Sequence, residues 1–402
     1  MPGETKIRFY AALTRLFSAK LKATCRRIIA TGLYQSGLMR VVNRLARAYE
    51  LSAPAGFRLS GFHKSSSSKF CILCYHRVGT EGAPIFSRLD PLVFEAQMRY
   101  LQMNFRVVPL GQLWRELKEP RLREPTVSVT FDDGYRDLYT HAFPVLQRFQ
   151  IPATIYLIGQ CVETGELPWY DRIFLGLDRA PGQFVELDLD GSRRFDLCSP
   201  ETRAEVAWQI VCHLRTISDP RRRQWLAAFE KQFRLPPHEV GDRMLNWEQV
   251  RTMHRGGIHF GAHTMTHPVV SQLPLSALAE ELVQAKHYLE AGLDAPVEDF
   301  AYPFGKEADI QHSAAEACLL HAGYRSAVTT IEGCNRPGVN PYRLRRMQVG
   351  DDRSMGLFAF NLARVFLEDS SASSTFVSAT DERMTKQQET AGGLLSRNGR
   401  NA

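Results

Sequence analysis

The sequence predicts an α/β fold built around a parallel sheet. Short runs rich in β-branched and aromatic residues alternate with helix-length segments from about residue 70 to about residue 349. Strands that alternate with helices in this way are typical of parallel sheets. A further observation indicates where the function lies. The predicted strand at 126–131 runs directly into Asp132-Asp133-Gly134, and strand ends hold the reactive groups of α/β barrels.

The strands of this sheet are predicted from their apolar character, at about residues 70–75, 105–109, 126–131, 153–158, 258–261, 299–302, 325–329 and 343–349. The helices are predicted between them, at about residues 91–103, 110–117, 137–149, 246–255, 275–292 and 311–323. Residues 163–245 interrupt the alternation with a hairpin around Asp190-Gly191 and helices at about 201–217 and 220–233. We interpret this segment as an insertion that forms either a lid or substrate wall, or scaffold.

The chain is predicted to have four parts: a basic helical extension at 1–51, a linker at 52–69, a catalytic domain at 70–368 and a disordered tail at 369–402. The extension holds ten Lys or Arg against two Glu and reads as two helices, at 6–30 and 33–50. A basic amphipathic helix can lie on an anionic membrane surface. The alternative is a helical hairpin packed on the catalytic domain.

Composition excludes several classes of protein. The 402 residues are 44% hydrophobic and 23% charged, as in ordinary globular proteins. The net charge of +7 is concentrated in the extension, and no nucleic-acid motif occurs, so a nucleic-acid binder is not expected. The sequence has no apolar run of about 18 residues and no secretory signal pattern, and most of its eight cysteines lie in apolar runs. We therefore expect a cytoplasmic protein, with peripheral contact at the inner membrane if the extension binds lipid.

A second polar cluster supplies the remainder of a metal site. His263 and His267 follow the predicted strand at 258–261 and are four residues apart, so a helical turn would point both rings at one ion. Thr264 could orient one of them. An aspartate with two histidines is the ligand set of catalytic zinc, which keeps a position open for water. Co²⁺, Ni²⁺ and Mn²⁺ would also fit these donors.

A third segment, residues 299–305, has the form of a strand followed by a Pro-Phe-Gly turn. With Thr-Phe-Asp-Asp-Gly and His-Thr-x-x-His, in this order, residues 70–350 resemble the polysaccharide deacetylases of the NodB-homology, carbohydrate esterase type. The resemblance implies a distorted (β/α)7 barrel, with Asp132 as general base and with Asp133, His263 and His267 as metal ligands. It also implies hydrolysis of N-acetyl, or sometimes O-acetyl, groups on an amino-sugar polymer or lipid-linked saccharide.

The expected mechanism also needs groups that hold the substrate beside the metal. The backbone N–H of Tyr135 could hold the oxyanion of the tetrahedral intermediate. Trp169, Pro303 and Phe304 could form the wall that packs against the sugar and the acetyl methyl group.

The chain departs from the family pattern at the third motif. Ala301 occupies the place of an arginine that usually pairs with the general base. Another group must then orient Asp132, and the last predicted strand offers Arg343, Arg345 and Arg346.

The Leu-x-His motif of the family is also missing from its expected place. Leu319-Leu320-His321 matches its letters but falls within a predicted helix. The proton for the leaving amine could come instead from His76, which follows the first predicted strand and would lie at the same barrel end as the metal. Two other functions stay open: a saccharide-binding protein that has lost turnover, and hydrolysis of another non-peptide amide such as a small cyclic amide.

Overall fold

The structure, a computed structural model, describes residues 69–80, 88–117, 125–235 and 243–367. The predicted helices at 6–30 and 33–50, the linker up to residue 68 and the tail at 369–402 lie outside this part. Backbone contacts divide the chain into two units, His63–Asp351 and a second unit of Met1–Phe62 with Asp352–Ala402. The fold and site described below belong to the first unit.

Seven parallel strands close into a barrel, which confirms the predicted (β/α)7 fold. The hydrogen-bonded order is β1-β10-β9-β8-β7-β4-β3, and β3 pairs again with β1. The short strand β2 pairs with β3 outside this ring. The strands are β1 (Phe70–Tyr75), β2 (Arg106–Val107), β3 (Thr126–Phe131), β4 (Ala153–Leu157), β7 (His259–Ala262), β8 (Asp299–Ala301), β9 (Ser326–Glu332) and β10 (Leu344–Gln348), with β5 (Phe184–Asp188) and β6 (Ser192–Asp196) forming a separate hairpin.

Helices follow most of the barrel strands. They are α1 (Pro91–Asn104), α2 (Leu110–Leu117), α3 (Phe143–Arg148), α4 (Gly159–Thr164), α5 (Trp169–Asp178), α6 (Pro200–Leu214), α7 (Asp219–Gln232), α8 (Trp247–Arg255), α9 (Leu275–Leu293), α10 (Glu307–Ile310) and α11 (Ala315–His321), with α12 (Met355–Leu367) in the second unit. None of these helices combines the length and the apolar character needed to cross a membrane.

The barrel strands are buried on both faces, so their sequences are nearly continuous apolar runs. All residues of β1, β3 and β4 are buried. Because the strands are parallel, their carboxyl ends meet at one end of the barrel. The residue after β3 stays in register there, since the Asp132 N–H donates to the Tyr75 carbonyl at 3.0 Å.

Residues 163–245 lie between β4 and β7 and contain α5, the β5–β6 hairpin, α6 and α7. The hairpin turns at Asp190 (φ 57°) and Gly191 (φ 125°), as the Asp-Gly pair predicts. The insertion builds its own apolar cluster, which continues into the barrel through Tyr135 and Ile158. The insertion is therefore packed against the end of β3 and of β4.

Several elements differ from their predicted extents. The strand expected at 105–109 is only two residues long, and the helix expected at 137–149 begins as a π-helix at Leu138–Ala142. The helix expected at 311–323 is shorter, α11 at Ala315–His321, and is preceded by the separate one-turn helix α10 at Glu307–Ile310. Helix α5 has no counterpart among the predicted helices, because its short apolar run carries little periodic signal.

Candidate active site

The Asp-Asp-Gly segment forms a tight turn at the end of β3. The Gly134 N–H donates to the Asp132 carbonyl at 2.9 Å, and Asp133 has φ 72°. Gly134 has φ 81°, and a Cβ there would lie 2.6 Å from Leu157 Cδ2. Such positive-φ strain is unfavourable for aspartate and persists where the surrounding structure enforces it. The turn directs two buried carboxylates to the same barrel end.

The segment between His263 and His267 is a loop, so the expected helical turn is not formed. Thr264 (φ 65°) and His267 (φ 57°) adopt left-handed backbone conformations. The loop is held by hydrogen bonds instead: the His267 N–H donates to Thr264 Oγ1 at 2.9 Å, and Glu281 accepts from the amides of residues 265–266 at 2.9 Å each. These bonds fold the loop so that the two rings approach each other, with centroids 4.7 Å apart.

Three buried donor atoms converge between the two loops. Asp133 Oδ1 lies 3.5 Å from His263 Nε2 and 3.7 Å from His267 Nε2. Ligands about 2.0–2.2 Å from a tetrahedral ion are separated by about 3.4 Å, so one cation would fit among these atoms. His263 is also fixed for ligation, because its Nδ1 lies 2.7 Å from the Ala301 carbonyl and leaves Nε2 free.

The electrostatics of this donor set also fit a cation. Burial lowers the pKa of both His263 and His267, which favours the neutral rings that metal ligation needs. Burial, with the nearby charge of Asp132, raises the pKa of Asp133 to about 6. Two adjacent buried carboxylates repel each other, and a cation would relieve that repulsion.

Asp132 is paired with an arginine from another part of the chain, although the third motif has Ala301 where the family usually has one. Arg346 Nη1 lies 2.7 Å from Asp132 Oδ1 and Nη2 lies 2.6 Å from Oδ2, in a fully buried bidentate pair. Burial alone would raise the pKa of Asp132, but the charge and hydrogen bonds of Arg346 bring it well below its usual value. Of the three candidate arginines, Arg343 pairs with Glu307 and Arg345 does not reach Asp132.

His76 and Cys74 form a second group of polar atoms around Asp132. A ring nitrogen of His76, Cys74 Sγ and an Asp132 carboxylate oxygen all lie within 4.8 Å of one another. Cys74 is fully buried, whereas His76 is half-buried. The Leu319-Leu320-His321 match lies in α11, and His321 is exposed.

The Tyr135 N–H points away from the chain segment around Met244, which runs beside it. Tyr135 and Met244 form an isolated antiparallel bridge whose hydrogen bonds are made by the flanking residues Arg136 and Leu245. In such a pair the opposed residues do not bond each other. No acceptor for the Tyr135 N–H occurs among the described residues, so this donor is available near the carboxylates.

The Pro-Phe-Gly turn follows β8 and repeats the form of the Asp-Asp-Gly turn. The Gly305 N–H donates to the Pro303 carbonyl at 2.6 Å, and Phe304 has φ 58°. Phe304 is partly exposed and lies 4.9 Å from the His267 ring. Trp169 is only 9% exposed, and its Nε1 donates to the His267 carbonyl at 3.0 Å. Trp169 thus has little ring surface left for a substrate.

The insertion brings in two side chains that sequence reasoning missed. The Tyr170 hydroxyl is hydrogen-bonded to the Asp133 carboxylate, and Asp171 accepts from the Tyr135 hydroxyl at 2.9 Å. The sequence did contain a pattern that favours the start of a helix here: Pro168 followed by two aromatic residues and an acidic one.

A separate cavity of about 330 Å³ opens at the opposite end of the barrel, where strands β7 and β8 begin. His259 and Asp299 line it, together with Arg115 and Arg325. None of the convergent donor atoms described above reaches this cavity.

The polysaccharide deacetylase family matches residues 119–323, about half of the chain. The protein belongs to this family of hydrolases, as the three motifs predict. Deacetylases of this family depend on a metal, and the cluster of Asp133, His263 and His267 is a candidate metal site.

Two curated relatives match over shorter stretches. One is YxkH of Bacillus subtilis (strain 168), whose name places it among the polysaccharide deacetylases; it is 33% identical over 97 residues, which are 24% of this chain and 34% of the relative. The other is the poly-beta-1,6-N-acetyl-D-glucosamine N-deacetylase of Escherichia coli (strain K12), 34% identical over 98 residues, which are 24% of this chain and 15% of the relative. Both matches thus span about a third or less of the relative.

Among solved structures, the fold resembles the Streptococcus pyogenes deacetylase PplD in complex with acetate. The TM-score is 0.51 at 18% identity, over 75% of this chain and 100% of that chain. This likeness concerns the barrel fold alone.

Proposed function

We propose that the protein is a metal-dependent hydrolase that removes N-acetyl groups from an amino-sugar-containing polysaccharide or lipid-linked oligosaccharide. One observation carries the proposal. The donor atoms of Asp133, His263 and His267 are spaced for a single cation, and the buried Asp132–Arg346 pair lies directly beside them.

In this proposal Asp133, His263 and His267 hold the metal, and Zn²⁺ suits two nitrogens and one oxygen best. A bound divalent ion supplies polarisation of the acetyl carbonyl and a more acidic water.

Asp132 is the proton acceptor for water in this scheme. Arg346 keeps its carboxylate ionised in a buried position and fixes the plane of the carboxylate through the bidentate pair. In this scheme Arg346 takes the place of the arginine that the family usually has at the position of Ala301, with its guanidinium reaching the base from β10 and not from β8. The absent arginine therefore no longer favours a protein that has lost turnover.

His76 is the proposed proton donor to the leaving group. An amine must be protonated as the amide bond breaks, and the half-buried imidazole of His76 lies close to Asp132. This position favours an N-acetyl over an O-acetyl substrate, since an alcohol leaves more readily. The free Tyr135 N–H is the proposed donor to the tetrahedral oxyanion.

Phe304 and Pro303 are the proposed wall for the sugar and the acetyl methyl group. The partly exposed ring of Phe304 beside His267 supports this role. Trp169 is better assigned to support of the site than to substrate contact, because it is buried and bonded to the His267 carbonyl.

The test is acetate release from acetylated amino-sugar oligomers, measured with purified protein after chelation and again after addition of Zn²⁺. We expect release only with metal, and a loss of about 10²–10⁴-fold in Asp132→Asn. Asp294→Asn is the matched control, because Asp294 is an exposed residue at φ 53°, a conformation that asparagine tolerates. Metal binding without acetate release would contradict the proposal and favour saccharide binding or another amide.

We propose that residues 1–51 form a basic extension that contacts an anionic membrane surface, with 52–69 as linker, 70–368 as catalytic domain and 369–402 as tail, and that the protein is cytoplasmic. The full chain should sediment with phosphatidylglycerol vesicles, and replacing Arg40, Arg44 and Arg47 by glutamine should weaken this binding. Equal sedimentation of both proteins would contradict the membrane contact.

A further inference from the structure

The first turn of α5, defined here as the Trp-Tyr-Asp turn of Trp169, Tyr170 and Asp171, touches three separate parts of the site. Trp169 Nε1 donates to the His267 carbonyl at 3.0 Å. The Tyr170 hydroxyl is hydrogen-bonded to the Asp133 carboxylate. Asp171 Oδ2 accepts from the Tyr135 hydroxyl at 2.9 Å. Three consecutive residues of the insertion thus contact one metal ligand, the backbone of another, and the residue proposed to hold the oxyanion.

The His267 ring depends on this turn more than the His263 ring does. His263 is anchored by a hydrogen bond from Nδ1 to the Ala301 carbonyl at 2.7 Å. His267 Nδ1 is buried and has no hydrogen-bond partner in the described part of the chain. Its orientation therefore comes from packing, with the Tyr170 ring centroid at 4.8 Å and the Phe304 ring at 4.9 Å.

The backbone of His267 also needs support. Its φ of 57° is unfavourable for a residue with a side chain. A buried indole N–H needs a hydrogen-bond acceptor, and the Trp169 N–H donates to the His267 carbonyl. Trp169 thereby holds the strained residue from its carbonyl side, while Thr264 accepts from its N–H at 2.9 Å.

A second helix of the insertion braces the same loop. The Arg222 guanidinium of α7 lies 5.0 Å from the Trp169 ring. Arg223 Nη2 lies 3.7 Å from Glu281, the carboxylate that accepts both amides of residues 265–266. The histidine loop is therefore held between α9 of the barrel and two helices of the insertion.

We propose that Trp169, Tyr170 and Asp171 are positioning residues that preset the geometry of the metal ligands and of the Tyr135 N–H. The 163–245 insertion is then a permanent part of the reaction centre rather than a lid. This inference rests on the proposed function, because the ligands it positions are those of the proposed metal site.

The first test compares metal affinity in conservative variants, by competition with a chromogenic chelator for Zn²⁺ and from the visible spectrum of the Co²⁺ form. Tyr170→Phe keeps the ring against His267 and removes only the hydroxyl on Asp133. Trp169→Phe keeps an aromatic ring and removes the donor to the His267 carbonyl. Loss of a group that orients a ligand typically weakens metal binding about 10–100-fold, and we expect this weakening with an altered Co²⁺ spectrum in both variants.

The matched control is Tyr342→Phe. The Tyr342 hydroxyl donates to the Tyr324 carbonyl at 3.0 Å, where β9 begins, at the barrel end opposite the metal site. The control loses a comparable tyrosine hydrogen bond. If metal affinity falls in Tyr170→Phe and Trp169→Phe but not in Tyr342→Phe, the effect is local to the Trp-Tyr-Asp turn. Unfolding midpoints of all variants show whether each remains folded at the assay temperature.

Tyr135→Phe tests the third contact by a different readout. It removes the hydroxyl that donates to Asp171, so kcat should fall while the metal affinity and KM stay near those of the wild type. Wild-type metal affinity in Tyr170→Phe and Trp169→Phe would overturn the inference and leave the proposed function intact. A wild-type protein that binds no metal at Asp133, His263 and His267 would overturn both.

Discussion

Replacing Arg346 by lysine should disable the proton acceptor of the proposed reaction while leaving the metal ligands in place. The guanidinium donates to Asp132 Oδ1 at 2.7 Å, to Asp132 Oδ2 at 2.6 Å, to the Thr329 carbonyl at 2.7 Å and to Thr130 Oγ1 at 3.3 Å. Lysine keeps the charge but has a single nitrogen on a flexible stem. It cannot satisfy both carboxylate oxygens and the Thr329 carbonyl from one point.

The size of the effect follows from these contacts. Each buried acceptor left without its donor costs about 1–3 kcal/mol, so Arg346→Lys should lower the free energy of unfolding by about 2–4 kcal/mol. A shift of the Asp132 carboxylate by about 1 Å should lower kcat for acetate release roughly 100-fold. The metal affinity should change little, because Arg346 contacts none of the three proposed ligands.

Steady-state acetate release and urea unfolding measure these two effects. Arg345→Lys is the control, because the Arg345 guanidinium makes one long hydrogen bond of 3.5 Å to the Glu332 carbonyl. A kcat for Arg346→Lys within about threefold of the wild type, with Asp132→Asn inactive, would refute the argument that the bidentate pair orients the base.

Three further predictions concern the metal, the Asp-Asp-Gly turn and pH. Zn²⁺ at 100 times its dissociation constant should stabilise the fold by about 2.7 kcal/mol, and a thermal unfolding midpoint that does not respond to chelation would contradict the metal site. Gly134→Ala should destabilise by about 1–3 kcal/mol or more, because its φ is 81° and the new Cβ meets Leu157. Gly111→Ala, with open space around its Cβ position, should be neutral or slightly stabilising in urea unfolding. Burial raises the pKa of Asp171 to about 7, so the folded state keeps a proton that the unfolded chain loses near pH 4. Stability should therefore fall as pH rises from about 4 to about 7, and this fall should be smaller in Asp171→Asn; parallel curves for the two proteins would contradict it.

The fold class and the metal-ligand candidates were accessible from sequence because both are carried by local patterns. Strands buried on both faces read as apolar runs, and the polar residues that follow them stand out against these runs. Parallel strands place such residues at one end of the barrel whatever the intervening helices do. Asp132, Asp133, His263 and His267 could therefore be assigned to one region before their distances were known.

The helical turn expected between His263 and His267 shows the limit of spacing alone. A separation of four residues suits a helix, but Thr264 and His267 are in left-handed conformations. That backbone is stabilised by Glu281 and Trp169, which are distant in sequence, so no local pattern indicated it.

The choice among Arg343, Arg345 and Arg346 needed the tertiary structure. In β10, Arg346 is fully buried with its guanidinium on Asp132, whereas Arg343 lies before the strand and pairs with Glu307. The orientation of each residue depends on where the strand begins and on a register irregularity between residues 344 and 346. Strand boundaries predicted from sequence are uncertain by a residue or two. An error of one residue places every side chain of the strand on the opposite face of the sheet.

The sequence by itself determined the parallel α/β sheet, the strand ends that hold the chemistry, and the residue types gathered there, because these follow from local composition and from strand direction. The closure of the sheet into a barrel was expected only from the resemblance to polysaccharide deacetylases. Only the tertiary structure decided which arginine meets Asp132, how His267 is held, and that the insertion reaches the site through Trp169 and Tyr170. Those features depend on contacts between segments from 37 to 214 residues apart, and their geometry is set by the packing of the whole barrel.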